Sequence, residues 1–214
     1  MKLKLFILSL LIPFIGIEAQ NARTILDKAA TAYNNAGTVT ASFTLDSKEV
    51  KTKSIYSVDG TAYMKGDKFK IDIPDATIWF DGKNQWIYKK GIDEIIITEP
   101  TKEELQGISP SSLFSIYKQG FNLSYKGEKH VAGTAVLEVE LTPQNKSSDY
   151  TKITVQINKA TNLFSQIILL DKLGYENTLT IRKMQTKTNL PDKTFIFNKS
   201  DYPNAEIFDQ RDDR

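Results

Sequence analysis

Apolar and polar residues alternate along most of the chain from Val39 onward, with the period of two that is typical of β-strands with one buried face. The alternation is regular from Phe69 to Ile73, where every second residue is large and apolar. About ten or eleven such strands follow one another, each joined to the next by a short turn. The pattern therefore predicts a mainly β fold, an antiparallel sheet that curls into a barrel or half-barrel.

The strongest turn signal is Asp81-Gly82, which separates two aromatic strands. Glycine reaches positive φ without steric cost, and aspartate accepts hydrogen bonds from the backbone that follows it. We therefore expect a hairpin at this point. An ordinary hairpin whose aromatic residues pack a core explains the pattern as well as a ligand-binding one does. A second Asp-Gly pair, Asp59-Gly60, predicts another hairpin.

Helical spacing occurs in two places. Residues Ala22 to Gly37 predict an N-terminal helix that ends at glycine. Thr101 and Glu104 have the spacing of a capping box, and a second short helix is predicted from Ser112 to Gln119. The bulky apolar residues of this second helix include Leu113, Phe114 and Tyr117. Periodicity alone favours a permanent core role for these three side chains.

The N-terminus predicts export. Lys2 and Lys4 precede a short apolar run, and Ala19 offers a small residue for cleavage. We expect residues 1–19 to be a signal peptide and residues 20–214 to form one domain. An uncleaved anchor is the alternative interpretation of the same run. The polar tail from Asn204 is expected to be partly mobile.

Composition argues against several kinds of chemistry. The chain has no cysteine, one histidine and a net charge of +2. His130 lies in a polar stretch that predicts a solvated turn, so we assign no catalytic residue, metal site or cofactor. Charges of both signs are interspersed, which argues against nucleic-acid binding. An esterase or glycosidase would depend on scattered carboxylates that are more typical of a solvated surface, namely Asp72, Asp81, Asp93 and Glu94.

The sequence resembles a known family in four segments. The most specific is the run from Gly66 to Tyr88, which is similar to the signature "kPdkFr…p…sDGk.lW.Y" of the LolA-like outer-membrane lipoprotein carriers of Gram-negative bacteria. Supporting likenesses are Ser109 to Tyr117, Asp192 to Phe197 and the ending from Ala205 to Arg211. Together they span the mature chain.

The resemblance implies an open antiparallel half-barrel covered by a helical lid, and a monomer that ferries lipoproteins across the periplasm. It also implies an inner-membrane release machinery and an outer-membrane acceptor as partners. A domain of the same fold that senses a lipidated ligand without shuttling it is the alternative. The residues expected to contact acyl chains are Phe43, Leu45, Phe69, Ile71, Ile73, Ile78, Phe80, Trp86, Tyr88, Ile95, Ile97, Leu113, Phe114, Tyr117, Leu137 and Val139.

One departure from the family concerns the lid. Family members carry an arginine on an early strand that bonds to the lid, whereas residues 43–48 contain none. Lys48 lacks the planar fork that an arginine offers. We therefore expect burial of Phe114 and Tyr117 to hold the lid closed.

Overall fold

The computed structural model describes residues 15–102, 104–105, 109–118 and 120–211. Within these ranges it contains a long helix α1 (Ile15–Ala36), a one-turn helix α2 (Pro110–Leu113) and one twelve-stranded sheet. The strands are β1 (Thr38–Glu49), β2 (Ile55–Lys65), β3 (Lys68–Asp72), β4 (Ala76–Phe80), β5 (Gln85–Lys89), β6 (Glu94–Thr98), β7 (Phe121–Val131), β8 (Thr134–Pro143), β9 (Tyr150–Asn158), β10 (Phe164–Asp171), β11 (Tyr175–Thr186) and β12 (Glu206–Asp209).

The strands lie in the order β12-β6-β5-β4-β3-β2-β1-β11-β10-β9-β8-β7, so the sheet is open, with β12 and β7 at its two edges. Every neighbouring pair is antiparallel except β12 and β6. The mainly β antiparallel fold predicted from the alternation is confirmed, and so is the open half-barrel that the resemblance implies. The sheet has twelve strands against the ten or eleven predicted, and β12 comes from the tail, where no strand was expected.

Part of the tail forms a strand that the sequence pattern did not predict. Residues 206–209 pair in parallel with residues 94–97 of β6, and the Gln210 amide continues the ladder by donating to the Ile97 carbonyl at 2.9 Å. Its side chains are exposed and polar in part, which is why the sequence suggested mobility. The unpaired backbone edge of β6 supplies the partner that the sequence pattern does not reveal.

The prediction of a second hairpin, at Asp59-Gly60, is wrong. Strand β2 runs straight through Asp59-Gly60, and Gly60 pairs with Phe43 of β1. A Cβ atom at Gly60 would lie 2.4 Å from Cζ of Phe43 and 2.9 Å from Cγ2 of Ile73. This glycine therefore makes room for an aromatic ring and does not form a turn.

The first predicted hairpin is confirmed. Strands β4 and β5 flank the turn, in which Gly82 has φ 103° and Oδ1 of Asp81 accepts hydrogen bonds from the amides of Lys83 at 2.8 Å and Asn84 at 2.7 Å. The side chain of Asp81 thus satisfies two amides that the tight turn leaves unpaired.

Helix α1 covers one face of the sheet. It begins at Ile15, earlier than the predicted Ala22, and ends at Ala36, before Gly37 with φ 69°. Its buried side chains from residue 19 onward are Ala22, Leu26, Ala29, Ala30, Tyr33 and Ala36. Among the described residues, no helix is both long and apolar enough to cross a membrane.

Two further predictions need correction. His130 is exposed but lies within strand β7, since this strand continues past a bulge at Tyr125/Gly127 and ends at Val131. The lid helix is shorter than expected and begins earlier, at Pro110, with a separate 3-10 turn at Ile116–Lys118; Gln119 lies outside the described residues.

Candidate functional site

One face of the sheet carries the larger of two apolar clusters, and α1 and the lid segment cover it. We define the lid as residues 109–118. The buried side chains of α1 between Ala22 and Ala36 face this cluster. From the sheet it includes Val39, Ala41, Ala62, Met64, Phe69, Phe80, Val139, Leu141, Ile153, Val155, Ile157, Phe164 and Ile167.

Phe114 joins the lid to this cluster. Its ring centroid lies 3.9 Å from that of Tyr33 on α1 and 4.7 Å from that of Phe164 on β10. The Tyr33 hydroxyl donates to the sulfur of Met64 at 3.4 Å. Burial, with a smaller effect from the carboxylate of Asp67, raises the pKa of Tyr33 to about 12. The ring of Tyr33 thus remains neutral and apolar under Phe114 at neutral pH.

Tyr117 ties the lid to α1 by a polar contact. Its hydroxyl donates to Oδ1 of Asp27 at 2.6 Å, and the guanidinium of Arg23 lies 5.9 Å from the centroid of its ring. The ring is almost fully buried, whereas Asp27 is exposed. Burial and the hydrogen bond to Asp27 both raise the pKa of Tyr117, so the hydroxyl keeps its proton and remains a donor.

A cavity of ≈ 150 Å³ lies between Phe114 and the sheet. A cavity of this volume with apolar walls holds a guest about the size of benzene, and ordinary ligand pockets are larger. An acyl chain would therefore require the lid to move. All the lining residues are apolar: Ala41, Phe43, Ala62, Met64, Ile71, Pro110, Phe114, Phe164, Ile167, Leu179, Ile181 and Met184.

The residues predicted to contact acyl chains fall into groups. Phe43, Ile71 and Phe114 line the cavity, while Leu45 is exposed farther along β1. Partly buried Leu137 pairs with Ile157 of β9. The side chain of Leu113 lies outside the described part of the structure. The predicted residues that belong to the same apolar cluster, or pack against it, are Phe69, Ile78, Phe80, Tyr117 and Val139. Ile73 lies beside Gly60 of β2.

Four predicted residues lie elsewhere, and the expectation of one shared cavity is wrong for them. Trp86, Tyr88, Ile95 and Ile97 belong to the second apolar cluster. They face away from Phe80 because successive side chains along a strand alternate between faces. The cluster is completed by C-terminal residues, namely Phe197, Tyr202 and Ala205.

Trp79 also contacts this C-terminal segment. Its ring centroid lies 5.8 Å from those of Phe197 and Tyr202, and Trp86 is its cross-strand partner. Both tryptophans of the chain therefore lie on the face of the sheet opposite the cavity.

Nine of the twelve residues that line the cavity were not among those predicted. Phe164, Ile167, Leu179, Ile181 and Met184 come from β10 and β11. Their apolar alternation was visible, but nothing in the sequence indicated that these strands return beside β1. Asp27 was also missed, because an exposed aspartate on a helix carries no signal of its partner.

The contacts of the early strand differ from those expected for the family arginine. Nε of Arg182 on β11 donates to Oγ1 of Thr44 at 2.9 Å, and Thr44 in turn donates to Asp59 at 2.6 Å. Lys48 lies five residues beyond Phe43, the last residue of β1 that lines the cavity under Phe114, and thus about 17 Å farther along the strand. Lys48 is too distant to hold the lid.

Comparison with solved structures places this architecture among known folds. An uncharacterized conserved protein from Thermus thermophilus is similar, with a TM-score of 0.61, 14% sequence identity, and coverage of 89% of this chain and 99% of that one. LprF from Mycobacterium bovis gives a TM-score of 0.52 and 14% identity, with 81% and 97% covered. A LolA superfamily protein from Nitrosomonas europaea gives 0.46 and 14%, with 82% and 97% covered. None of the curated proteins matches the sequence.

The fold and the cavity define an open half-barrel with a lid. The family described as "Outer membrane lipoprotein carrier protein LolA" matches residues 13–172, which is more than half of the chain. The protein therefore belongs to the LolA family of lipoprotein carriers. This is a family of binding and carrier proteins rather than enzymes.

Proposed function

We propose that this protein is a periplasmic carrier that binds the acyl chains of lipoproteins between sheet and lid and transfers them towards the outer membrane. The observation that supports this most strongly is the wholly apolar cavity under Phe114. The family implies an inner-membrane release machinery and an outer-membrane acceptor as partners. We expect the carrier to act as a monomer.

Transfer requires binding that is favourable but reversible. Each buried CH₂ group contributes about 0.8 kcal/mol, so one long acyl chain brings about 10 kcal/mol of gross stabilisation. A cavity that stood open would hold such a chain too tightly to release it. Net affinity must therefore be lowered by a competing process.

The lid provides that competition. Phe114 and Tyr117 are buried in the empty protein, and cargo must displace at least Phe114 to enlarge the cavity. The free energy needed to expose the lid is subtracted from the gross affinity for the acyl chain. The cavity-lining residues and the larger apolar cluster form the proposed binding surface, and the four residues of the second cluster do not.

Export fits the structure of α1. Cleavage after Ala19 would remove the first residues of the helix but keep the buried side chains that the structure describes, which begin at Ala22. We propose that the mature protein starts at Gln20. Mass spectrometry of the exported protein should give that N-terminus, and retention of Met1 to Ala19 would contradict it.

A release assay tests the carrier function. Inner-membrane preparations that contain lipoproteins are incubated with the purified protein, and soluble complexes are collected. A carrier brings lipoproteins into the soluble fraction. Binding of a lipopeptide without release would favour the sensing domain instead, and absence of lipid binding would contradict both functions.

The position of the native tryptophans gives a sharp test of the binding face. A brominated fatty acid quenches tryptophan only at short range. Trp79 and Trp86 lie on the opposite face, so the native protein should show little quenching, whereas Phe43→Trp should be quenched strongly. Strong quenching of the native protein would place the acyl chain on the second cluster.

A further inference from the structure

Strands β10 and β11 pair over only part of their length. Their ladder runs from Leu170/Glu176 to Gln166/Thr180 and then stops, although β11 continues to Thr186. Residues 181–186 remain paired with β1 on their other side. In the described part of the chain, no strand pairs with residues 181–186 on the side of β10. The two halves of the sheet thus separate, and we call the opening between residues 181–186 and the start of β10 the notch.

The notch presents the backbone of an edge strand inside the sheet. An unpaired edge offers N–H and C=O groups that an extended peptide can satisfy by adding as a further strand. Six residues are available, which is an ordinary strand length. The notch has a volume of ≈ 420 Å³, which is enough for several residues of an extended chain.

An unsatisfied acceptor lines the same opening. Gln156 is 7% exposed, its Nε2 donates to Glu138 at 2.9 Å, and its Oε1 has no hydrogen-bond partner among the described residues. A buried acceptor without a donor is destabilising. A peptide N–H or a side-chain donor in the notch would satisfy it.

The charges of the notch favour an acidic partner. Arg182 and Lys183 are exposed and line it, and no ion pair is formed by either one in the part of the chain that the structure describes. Arg182 is the extra residue of a bulge opposite Ser42/Phe43, and among the described residues its guanidinium bonds only through Nε, to Thr44. A carboxylate that binds here would lie beside two cations, and it could accept hydrogen bonds from the terminal N–H groups of the Arg182 guanidinium.

The notch also adjoins the apolar cavity. Phe164, Ile181 and Met184 border both spaces. We infer that the notch binds an extended, acidic peptide segment by strand addition to residues 181–186, and that this segment is the polypeptide of the lipidated cargo next to its acylated end. The identity of the cargo rests on the proposed function; the strand addition itself does not.

Three probe peptides of about eight residues test the inference on the mature protein. An alternating Thr-Asp peptide supplies both N–H groups and carboxylates, a Thr-Lys peptide reverses the charge, and a Pro-Asp peptide keeps the carboxylates but loses half of the amide donors. Fluorescence anisotropy measures their affinity. We expect the Thr-Asp peptide to bind at least about tenfold more tightly than either control.

The double variant Arg182→Glu/Lys183→Glu should weaken binding of the Thr-Asp peptide about tenfold. In native protein the peptide should slow hydrogen exchange of the amides in residues 181–186. Equal binding of the Thr-Asp and Pro-Asp peptides, no binding, or unchanged exchange in residues 181–186 would overturn the inference. Lys146→Glu, a charge reversal in the loop between β8 and β9, is the matched control and should bind like native protein.

A fluorescent fatty acid measured on the same samples separates this inference from the proposed function. The charge-reversal variant should retain native affinity for the fatty acid, because neither residue lines the cavity. Peptide binding without fatty-acid binding would count against the carrier function and leave the strand addition supported. Fatty-acid binding without peptide binding would support the carrier function and count against the strand addition.

Discussion

The hydroxyl of Tyr117 donates to the carboxylate of Asp27 at 2.6 Å and thereby fastens the lid to the first helix. The resemblance implies a lid held by an arginine on an early strand, whereas here a tyrosine of the lid itself makes the contact. The bond combines a buried donor ring with an exposed acceptor, so water can replace it when the lid moves. It is therefore a contact of modest strength between the lid and α1.

Tyr117→Phe should loosen the lid. A hydrogen bond to a partly solvated charged group contributes about 1 kcal/mol, and the ring remains in place. If the closed lid competes with cargo, a fluorescent fatty acid should bind about fivefold more tightly, since 1.4 kcal/mol corresponds to tenfold. Urea unfolding should show the same loss of about 1 kcal/mol.

Tyr56→Phe is the control for this variant. Tyr56 is exposed, so the loss of its hydroxyl should change neither measurement. Asp27→Asn keeps an acceptor and should have a smaller effect than Tyr117→Phe. An unchanged fatty-acid affinity in Tyr117→Phe would show that the bond does not hold the lid.

Phe114→Ala should open the cavity at a smaller cost than a core truncation. Burial of such a side chain contributes about 1.5–3 kcal/mol, and the lid can move after truncation. Phe69→Ala is the matched control, because Phe69 is 1% exposed within the sheet and should lose about 3–5 kcal/mol. Lys48→Ala should change neither stability nor fatty-acid binding.

These three variants are compared by urea unfolding and by fatty-acid affinity. Phe114→Ala should bind more tightly than native protein while remaining folded. Equal losses of stability in Phe114→Ala and Phe69→Ala, with no gain in affinity, would mean that Phe114 is permanent core. Loss of lid closure in Lys48→Ala would contradict the expectation that burial of Phe114 and Tyr117 holds the lid closed.

Gly60→Ala should strain the cavity wall. The new methyl group would lie 2.4 Å from Cζ of Phe43, so the ring must shift, at a cost of about 1–3 kcal/mol. Phe43→Leu removes the clashing atoms, and the double variant should lose less stability than the sum of the single variants. Thermal or urea unfolding of the four proteins gives the coupling free energy. Additive losses would show that the ring does not lie over Gly60.

Acid should weaken the contact between the C-terminal segment and the β2–β3 hairpin. Asp192 accepts from Lys65 at 2.7 Å and Lys68 at 2.9 Å, and these hydrogen bonds lower its pKa from 3.8 to about 2. A carboxyl group whose pKa is lower in the folded than in the unfolded protein stabilises the fold at pH values above its pKa in the unfolded protein. That contribution should be complete above about pH 4 and should disappear as the pH falls from 3.8 to about 2.

The measurement is urea unfolding of native protein and Asp192→Asn across this range. Their difference in unfolding free energy should shrink as the pH falls, because the native contact is lost and the variant has none to lose. Asp75→Asn is the control, since Asp75 is exposed and forms no ion pair among the described residues. A difference that stays constant from pH 5 to pH 2 would contradict the proposed titration.

The sequence by itself determined the fold class and the central hairpin. Alternation is a local property of each strand, so Phe69, Ile71 and their equivalents reveal a two-faced sheet without knowledge of its neighbours. The turn at Asp81-Gly82 could be predicted for the same reason, because its hydrogen bonds lie within four residues. The resemblance in residues 66–88 added the family, which the match over residues 13–172 bears out.

Only the tertiary structure decided which face each strand turns to the cavity. A shift of one residue exchanges the faces, so Phe80 and Trp86 look equivalent in the sequence but lie on opposite sides of the sheet. The same holds for contacts between distant segments, such as Tyr117 with Asp27 or β12 with β6. Gly60 shows the difference most clearly: its sequence context indicates a turn, but the ring of Phe43 on the neighbouring strand is what requires a glycine there.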